Sequence, residues 1–366
     1  MTHILEFKAN HLGYEQVRAR LLSVFLVLGL SVALSACGSS RRHFVYAVGS
    51  NAETIFGFEE QSSGGLSSIS GSPFSTGSVP SAIAVAPARN FAYVLSSGGN
   101  GVLAYTFDKS NGGLTAAAGA VATQTNPVAI AIDPSSQHVY ALNQGSSSIS
   151  AYSADQTTGA LTPISGSPFA TISGPVSMAM SAKGDALYVV SPTQGVASFS
   201  IKSDGTLAAG QAPIAVGTSP AFVTVDPGNH FVYVADKTGN AVFGFTVSGT
   251  SLTAISGSFA TGTTPVSLAV RGDGKFLFVA NQGSNNVSAF AIGSGGALTA
   301  VSGSPFGAGT APTFVIVNHN GDHLYVADRD SNDITDFAIS GNGSLTAASG
   351  SPYAIGTNPV WIAVTD

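Results

Sequence analysis

The segment "ADRDSND", residues 327–333, places Arg329 between two aspartates, Asp328 and Asp330. A guanidinium can stabilise the negative charge that develops on a carbonyl oxygen, and a carboxylate can activate a water molecule. Asp328, Arg329 and Asp330 are therefore candidate catalytic residues for the hydrolysis of an ester-like bond. The alternative is structural, because Asp and Asn often accept backbone hydrogen bonds in turns and an arginine pairs readily with carboxylates beside it.

Polar residues end several other short apolar segments in the same way. These segments read "YALNQ" (140–144), "YVADK" (233–237) and "FVANQ" (278–282). Amide, carboxylate and ammonium groups can all hydrogen-bond a polar ligand. The segments provide the candidate ligand-binding residues Asn143, Asp236, Lys237, Asn281 and Gln282.

Metal, cofactor and serine-hydrolase chemistry find no support in the sequence. Asp328, Asp330 and Asn332 match the first three ligand positions of a calcium loop, but Asp333 stands where that loop needs glycine. Ile339 stands where it needs the bidentate glutamate. The chain has no G-x-S-x-G elbow and no nucleotide-binding glycine pattern between a strand and a helix. We therefore predict neither a metal site nor a cofactor.

A repeated opening indicates which elements position the candidate residues. Seven stretches begin with proline and continue with alternating small and apolar residues, spaced by 45 to 48 residues: Pro80, Pro127, Pro175, Pro220, Pro265, Pro312 and Pro359. A regular period of this length is typical of propellers and solenoids. Each unit contains four short segments rich in Val, Phe and Tyr and separated by Gly, Asn and Asp, which predicts the four strands of a propeller blade.

The two ends of the repeat region complete each other. Residues 43–79 contain the second, third and fourth strands of a unit, and residues 359–366 supply the missing first strand. We predict an all-β, seven-bladed propeller over residues 43–366 with four antiparallel strands per blade, closed by the C-terminal strand. Its repeats begin near residues 80, 127, 175, 220, 265 and 312. Small residues in the first strands are expected at the crowded centre, as at Ala84, Ala131, Ala179, Ala269 and Ala363.

The repeated cores "YVAD", "FVAN" and "YVLS", with "LTAVSGSPF" in an outer strand, resemble the YVTN-repeat and lactonase-type seven-bladed propellers, which include 6-phosphogluconolactonase. The resemblance covers nearly all of residues 43–366. It implies a lactone-hydrolysing site at the channel mouth, in which an "SNRGH"-like turn supplies arginine and histidine. Here Arg329 occupies the position of that arginine, but Ser331 occupies the position of the histidine. The family also implies a "YVxNE" ending, and Gln144 and Gln282 stand at the position of its glutamate.

These departures favour a binding or scaffold protein with a degenerate lactonase site. The alternative is a lactone hydrolase that acts through the residues around Arg329. The sequence is compatible with both an enzyme and a non-catalytic protein.

The N-terminus predicts export. Arg18 and Arg20 precede an apolar run, Leu21–Leu34, which leads into "LSAC" ending at Cys37. This resembles a bacterial lipoprotein signal, with residues 1–36 as the signal peptide and residues 37–42 as a tether lipidated on Cys37. An ordinary secretion signal cleaved near Ala36 is the alternative. No aspartate follows the cysteine, which favours the outer membrane of the cell envelope, facing the periplasm or the outside.

Composition limits the partners. Only 9% of the residues are charged, the net charge is −6, and no basic patch with interleaved aromatic residues occurs, which argues against nucleic acid. We predict a monomer that contacts the membrane through the lipid on Cys37. Its ligand is expected to be a protein, a glycan or a small lactone.

Overall fold

The computed structural model describes residues 42–61, 64–356 and 358–365. The predicted signal peptide, Cys37 and most of the tether lie outside the described residues. The described chain forms seven antiparallel sheets, each a blade, and the innermost strands of neighbouring blades contact one another all the way around a closed ring. No helix in this part of the chain has the length and hydrophobicity needed to cross a membrane. The predicted all-β, seven-bladed propeller is confirmed.

We number the blades from the one that both ends share. Blade 1 contains residues 43–79 with the C-terminal strand, and blades 2 to 7 follow in chain order. The innermost strands, from blade 2 to blade 7 and then blade 1, are β5 (Pro80–Val85), β9 (Pro127–Ile132), β14 (Ser177–Met180), β18 (Pro220–Val225), β23 (Pro265–Val270), β28 (Pro312–Val317) and β33 (Pro359–Val364). Six of the seven begin at the repeated proline, and β14 begins two residues after Pro175.

The second and third strands of each blade form its buried middle. The second strands, from blade 1 to blade 7, are β1 (Phe44–Gly49), β6 (Phe91–Ser96), β10 (His138–Asn143), β15 (Ala186–Ser191), β19 (Phe231–Asp236), β24 (Phe276–Asn281) and β29 (His323–Asp328). The third strands are β2 (Thr54–Glu60), β7 (Gly101–Phe107), β11 (Ser148–Ala154), β16 (Gly195–Ile201), β20 (Ala241–Ser248), β25 (Asn286–Ile292) and β30 (Asp333–Ile339). Nearly every second-strand residue is buried, because a neighbouring blade covers each face of the sheet.

The outer strands are short in all blades but one. They are β3 (Leu66–Ser68), β8 (Leu114–Ala122), β12 (Leu161–Pro163), β17 (Leu207–Ala209), β21 (Ser251–Ala254), β26 (Leu298–Ala300) and β31 (Leu345–Ala347). In five blades the chain then turns back and adds a two-residue strand to the third strand. These additions are β4 (Phe74–Ser75), β13 (Phe169–Ala170), β22 (Phe259–Ala260), β27 (Phe306–Gly307) and β32 (Tyr353–Ala354).

The ring closes within blade 1. β33 pairs antiparallel with β1, with Val45 opposite Val364 and Val48 opposite Trp361. Thr365 extends the join, since its N–H donates to the carbonyl of Phe44 at 2.9 Å and its hydroxyl accepts the N–H of Phe44 at 2.8 Å. Both edges of β1 are therefore paired, with β2 on one side and β33 on the other.

A buried tyrosine locks four of the seams between blades. Each lies in a second strand and donates its hydroxyl to a glycine carbonyl in the next blade: Tyr46 to Gly112, Tyr93 to Gly159, Tyr140 to Gly205 and Tyr233 to Gly296, at 2.7 to 3.1 Å. Gly296 has a φ of 79°, and a Cβ there would lie 2.5 Å from the ring of Phe231. The carbonyl can approach the tyrosine only because this residue is glycine. Blade 6 has Phe278 at the tyrosine position, and Gly343 lies against Phe276 as Gly296 lies against Phe231.

This seam gives a paired stability prediction. Tyr233→Phe is expected to lower the free energy of unfolding by about 1 kcal/mol, because the buried carbonyl of Gly296 loses its partner. Phe278→Tyr should raise it by up to about 1 kcal/mol, because the carbonyl of Gly343 is the expected acceptor for the new hydroxyl by equivalence with Tyr233 and Gly296. Urea unfolding of the two variants beside the wild type measures both. A loss of stability in Phe278→Tyr would contradict the proposed lock.

Candidate functional site

The candidate residues gather at one end of the ring, which we call the mouth. It consists of the links that precede the innermost strands and the turns that join second to third strands. Backbone hydrogen bonds tie each turn to its link: the N–H groups of Gln144, Lys237, Gln282 and Arg329 donate to the carbonyls of Asn126, Ser219, Thr264 and Ala311 at 2.9 to 3.1 Å. The propeller therefore brings all eight candidate positions, from Asn143 to Asp330, to the same end.

Asp236 holds its link in place. Its side chain is buried, and its carboxylate accepts the N–H groups of Thr218 at 2.8 Å and Ser219 at 2.7 Å. Burial acts to raise the pKa of Asp236, but these bonds outweigh it and hold the pKa below its usual value. The carboxylate is ionised at neutral pH, and it also accepts the hydroxyl of Thr218 at 3.2 Å.

Asn143 and Asn281 occupy the same position in blades 3 and 6. Both are fully buried. Asn143 donates to Ser150 Oγ at 3.0 Å and accepts the N–H of Gln124 at 3.2 Å. Asn281 donates to Asn286 Oδ1 and Ser288 Oγ at 2.8 and 2.9 Å, and its Oδ1 has no hydrogen-bond partner. Both amides are enclosed beneath the links, so a ligand at the surface of the mouth does not reach them without rearrangement.

Asp328 has the same place in blade 7 with a different environment. It is 0% exposed, its Oδ2 accepts the hydroxyl of Thr335 at 2.6 Å, and its Oδ1 lacks a hydrogen-bond partner. A Cβ at Gly309 would lie 2.7 Å from the Cβ of Asp328, so the link backbone covers the carboxyl group closely. Burial raises the pKa of Asp328 to about 7; the Thr335 bond opposes this rise, and the nearby Asp333 carboxylate adds to it.

Arg329 and Asp330 lie on the outside of the same turn. Arg329 Nε is 2.7 Å from Asp330 Oδ1 and Nη2 is 3.2 Å from Oδ2, with the two side chains 39% and 45% exposed. This two-point pair raises the pKa of Arg329 and lowers that of Asp330. Arg329 therefore faces solvent with its charge already balanced, while the adjacent Asp328 points into the protein.

The remaining candidates face the mouth more openly. Lys237 is exposed and forms no ion pair within the described residues, and Gln282 is half-buried. The side-chain amide of Asn126 donates to the side-chain oxygen of Gln144 at 2.8 Å. This bond joins the link before β9 to the turn after β10. Most other link and turn residues of the mouth are Ser, Thr, Gly and Asn, so its surface presents mainly hydroxyl and amide groups.

An aromatic cluster crosses the ring below the mouth. Trp361 stacks on Phe314 with centroids 4.4 Å apart, and Phe222 lies 5.9 Å from Phe314 and 6.4 Å from Trp361. These residues come from β18, β28 and β33, each two positions after the repeated proline. The other four blades carry small residues there: Ala82, Ala129, Ser177 and Ser267. Trp361 also packs against the cores of blades 1 to 4, so the cluster spans the centre of the ring.

This cluster was not predicted from the sequence. A signal was present, because aligning the seven openings places all three aromatic residues in one column. Trp361 and Phe222 keep partial exposure while Phe314 is buried. The cluster therefore provides an aromatic layer beneath a hydroxyl-rich and amide-rich surface.

Several open clefts lie away from the mouth. One of them, about 550 Å³, lies between blades 5 and 6 at the opposite end of the ring and is lined by Asp226, His230, Phe231 and Asp273. Across the described residues, no three His, Cys, Asp or Glu side chains are grouped closely enough to hold a metal ion.

Comparison with known proteins places the chain in a family. The sequence model of "Lactonase, 7-bladed beta-propeller" matches residues 43–171, 166–254 and 245–364. No curated protein matches the sequence.

Solved structures share the architecture. Two proteins described as "putative 6-phosphogluconolactonase", from Bacteroides uniformis and Bacteroides fragilis, are 19% and 20% identical. Both have TM-scores of 0.78 and cover 89% and 90% of this chain and 99% of their own. The periplasmic gluconolactonase PpgL of Pseudomonas aeruginosa is 17% identical with a TM-score of 0.74, covering 89% of this chain and 99% of its own. At these identities the likeness shows the fold, and with the sequence match over residues 43–364 the chain belongs to the lactonase family of seven-bladed β-propellers.

Proposed function

We propose that this chain is a non-catalytic binding propeller of the bacterial cell envelope, with a degenerate lactonase site at its mouth. The observation that carries the proposal is the separation of the candidate catalytic groups. The carboxyl group of Asp328 is fully buried beneath the link at Gly309, while Arg329 is exposed and paired with Asp330. Hydrolysis needs a base that activates a water molecule next to the substrate carbonyl and a cation that stabilises the oxyanion formed on the same carbonyl.

The surface of the mouth favours an uncharged ligand rich in hydroxyl groups, such as a glycan. Its exposed side chains are mainly hydroxyls and amides, which can donate and accept hydrogen bonds without a charged partner. The aromatic cluster below adds an apolar surface of the kind that ligand sites combine with a few polar groups. Lys237 alone provides little attraction for a phosphate group, since the charge of Arg329 is balanced by Asp330.

Anchoring in the envelope is part of this proposal and is supported by the sequence. Leu21–Leu34 has the length of a signal-peptide core, and Cys37 follows it at the position that a lipoprotein signal requires. We propose lipidation of Cys37 and attachment to the outer membrane, with the propeller in the periplasm or outside the cell.

A lactone hydrolase is the second candidate function. Family membership favours it, as does the raised pKa of Asp328, since a general base works best with a pKa near the operating pH. In this case Asp328 would have to become accessible when substrate binds, with Arg329 released from Asp330 to stabilise the oxyanion.

Lactone hydrolysis by residues 38–366 tests the two candidates. The binding proposal expects no turnover above the spontaneous rate with 6-phosphogluconolactone, glucono-1,5-lactone or a simple γ-lactone. Arg329→Ala should give the same result and remain folded, because the side chain is exposed and pairs only with its neighbour. Turnover that disappears in Arg329→Ala would establish the hydrolase instead.

Binding has its own readout, because Trp361 is the only tryptophan of the chain. Titration with a neutral oligosaccharide such as cellohexaose is expected to change Trp361 fluorescence saturably, whereas 6-phosphogluconate should not. Trp361→Phe removes the signal and preserves aromatic packing, so calorimetry on that variant shows whether binding persists. An absence of response to a panel of neutral glycans would contradict the proposed ligand class.

A further inference from the structure

We propose that a small acidic cavity at the seam between blades 7 and 1 binds a primary ammonium group, carried by a lysine side chain or by a free aliphatic amine. The cavity has a volume of about 150 Å³ and lies at the end of the ring opposite the mouth. Its polar side chains come from the end of β2, from the turn between β28 and β29 and from β29 itself: Glu60, Asn318, Asn320, Asp322, His323 and Tyr325. None of them belongs to the candidate site at the mouth.

Glu60 stands at a position that is apolar in every other blade. The position can be matched across the seven blades, because its N–H donates to the carbonyl just before the second strand at 2.7 to 3.0 Å. In the other six blades the residue there is Phe107, Ala154, Ile201, Val247, Ile292 or Ile339. The tyrosine of this seam, Tyr325, donates its hydroxyl to Glu60 Oε1 at 2.8 Å and not to a glycine carbonyl.

Asp336 is a second carboxylate that only this seam contains. It pairs with Tyr325 across β29 and β30, so both side chains face blade 1. The residues that pair with the equivalent aromatic residue in the other blades are small and uncharged: Gly57, Ala104, Ala151, Ser198, Gly244 and Ala289. Asp336 is 0% exposed, its Oδ1 lies 2.7 Å from His323 Nδ1, and its Oδ2 has no hydrogen-bond partner. A buried carboxylate oxygen without a partner lowers stability, and a nearby positive charge offsets that cost.

The cavity holds more negative than positive charge. Burial raises the pKa of Tyr325, and the nearby carboxylates of Glu60, Asp336 and Asp322 raise it further. His323 is the one cationic group in the described lining, and its bond to Asp336 raises its pKa. A protonated His323 balances one of the three carboxylates. The other two form no ion pair within the described part of the chain, so a ligand that enters the cavity should be a cation.

The available acceptors suit an ammonium group better than a guanidinium. Asp322 Oδ1 accepts the amide of Asn318 at 2.7 Å, as Glu60 Oε1 accepts Tyr325. The second oxygen of each carboxylate has no hydrogen-bond partner among the described residues. A guanidinium binds best to both oxygens of one carboxylate and would have to displace one of these bonds. An ammonium group donates to single acceptors, and Asn320 can supply a third with its amide oxygen.

The size and composition of the cavity agree with this ligand. Its volume is several times the roughly 30 Å³ that a water molecule occupies in the liquid, which leaves room for an ammonium head and a short carbon chain. A metal ion is less suited, because no three His, Cys, Asp or Glu side chains in the described ranges are grouped closely enough to hold one.

Calorimetric titration of residues 38–366 tests the ligand class. The probes are n-butylamine, putrescine and the amide of Nα-acetyl-lysine, used at one fixed ionic strength because salt screens general attraction to an acidic protein. We expect saturable binding of at least one of them at a single site. Tetramethylammonium carries the same charge without an N–H donor and should bind at least tenfold more weakly. Tighter binding of the lysine derivative would indicate a lysine of a partner protein, and tighter binding of putrescine would indicate a free amine.

Two neighbouring glutamates provide a matched pair of variants. Glu60→Ile introduces the residue that blades 4, 6 and 7 have at this position, so it should remain folded by circular dichroism and lower the affinity for amine at least tenfold. Glu59→Gln removes the adjacent carboxylate, which pairs with Arg42 at 3.2 Å, and should change the affinity less than twofold.

Three results would overturn the proposal. The first is the absence of saturable binding by all three amines up to about 50 mM. The second is an equal loss of affinity in Glu60→Ile and Glu59→Gln, which would mean that amines bind to the acidic surface in general. The third is tight binding of Ca²⁺ or Zn²⁺ that depends on Glu60 and with which the amines do not compete.

Discussion

Asp328→Asn is expected to stabilise the protein at pH 8 and to flatten the fall in its stability between pH 4 and pH 8. Asp328 is buried, and its folded pKa of about 7 lies above the ordinary value of 3.8. The native state therefore holds this proton more tightly than the unfolded chain. The contribution of this group to the free energy of unfolding is fully present below pH 3.8 and is lost as the pH rises through 7. A difference of this size corresponds to roughly 4 kcal/mol at most.

Asparagine removes the charge and keeps most of the contacts. Its amide oxygen can still accept the hydroxyl of Thr335, and Asn143 and Asn281 occupy the same position in other blades. The new NH₂ group stands where Oδ1 has no partner, which costs part of the gain. We therefore expect a net gain of about 2 kcal/mol at pH 8, measured by urea unfolding at pH 4, 6 and 8.

Asp236→Asn is the matched control and should have the opposite sign. The carboxylate of Asp236 accepts two backbone N–H groups, and its pKa is held below its usual value. Its contribution is present above the unfolded pKa and is lost as the pH falls through the folded one. An amide replaces one acceptor with a donor, so the variant should lose about 2 kcal/mol at pH 8. Destabilisation by both substitutions at pH 8 would contradict the expectation that the buried, ionised carboxylate of Asp328 lowers stability at that pH.

The Asp328→Asn variant also distinguishes the two candidate functions. If Asp328 were the base of a lactonase, Asp328→Asn would abolish turnover while stabilising the fold. If the mouth only binds ligands, stability should rise with no activity to lose. The two readouts come from one protein preparation.

The architecture was predictable because it depends on repetition. Seven proline openings at nearly constant spacing, with Val, Phe and Tyr between turn residues, define a blade seven times, so an error in one unit is corrected by the others. The local exceptions were not predictable. β14 begins two residues late, five blades gain a two-residue strand after the outer turn, and β8 runs on for nine residues. Each depends on local turn geometry that the average repeat does not contain.

The location of the candidate residues was predictable from the sequence, and the environments of their side chains were not. Placing the candidates after the second strands brought them to one end of the ring, as the structure has them. Whether each side chain points inward depends on a link about twenty residues earlier. Asp236 meets two N–H groups from residues 218 and 219, while Asp328 meets the closely packed backbone at Gly309. Two aspartates at equivalent positions thus acquire pKa values shifted in opposite directions.

The centre of the ring was also predictable only in part. Small residues were expected in the first strands, and Ala84, Ala131, Ala179, Ala269 and Ala363 lie four positions after their prolines. Two positions nearer the mouth, Phe222, Phe314 and Trp361 meet across the axis. Contact between β18 and β28, which belong to blades that are not neighbours, follows from ring closure and cannot be read from any single repeat.

Removing residues 359–366 is expected to abolish the folded state, which is the largest effect that we predict. The deletion takes away β33 and leaves the edge of β1 unpaired. It also removes the buried Ile362 and Ala363 and takes Trp361 from the centre of the ring. Loss of one large buried side chain alone typically costs 3 to 5 kcal/mol, a large part of the stability of a typical domain. Circular dichroism and gel filtration should show an unfolded or aggregated chain.

Moving β33 to the N-terminal side of β1 is expected to restore the fold, because the pairing of β33 with β1 is kept. In the permuted chain, residues 359–365 precede His43 through a short turn, and the chain ends at Asn358. Thr365 already hydrogen-bonds to both backbone groups of Phe44, so a turn of the length used by residues 226–230 between β18 and β19 spans the gap. Blade 1 would then have its four strands in sequence like the other six, and the free energy of unfolding should match the wild type within about 1 kcal/mol. A folded truncation, or an unfolded permutant, would mean that closure by β33 is not what holds the ring together.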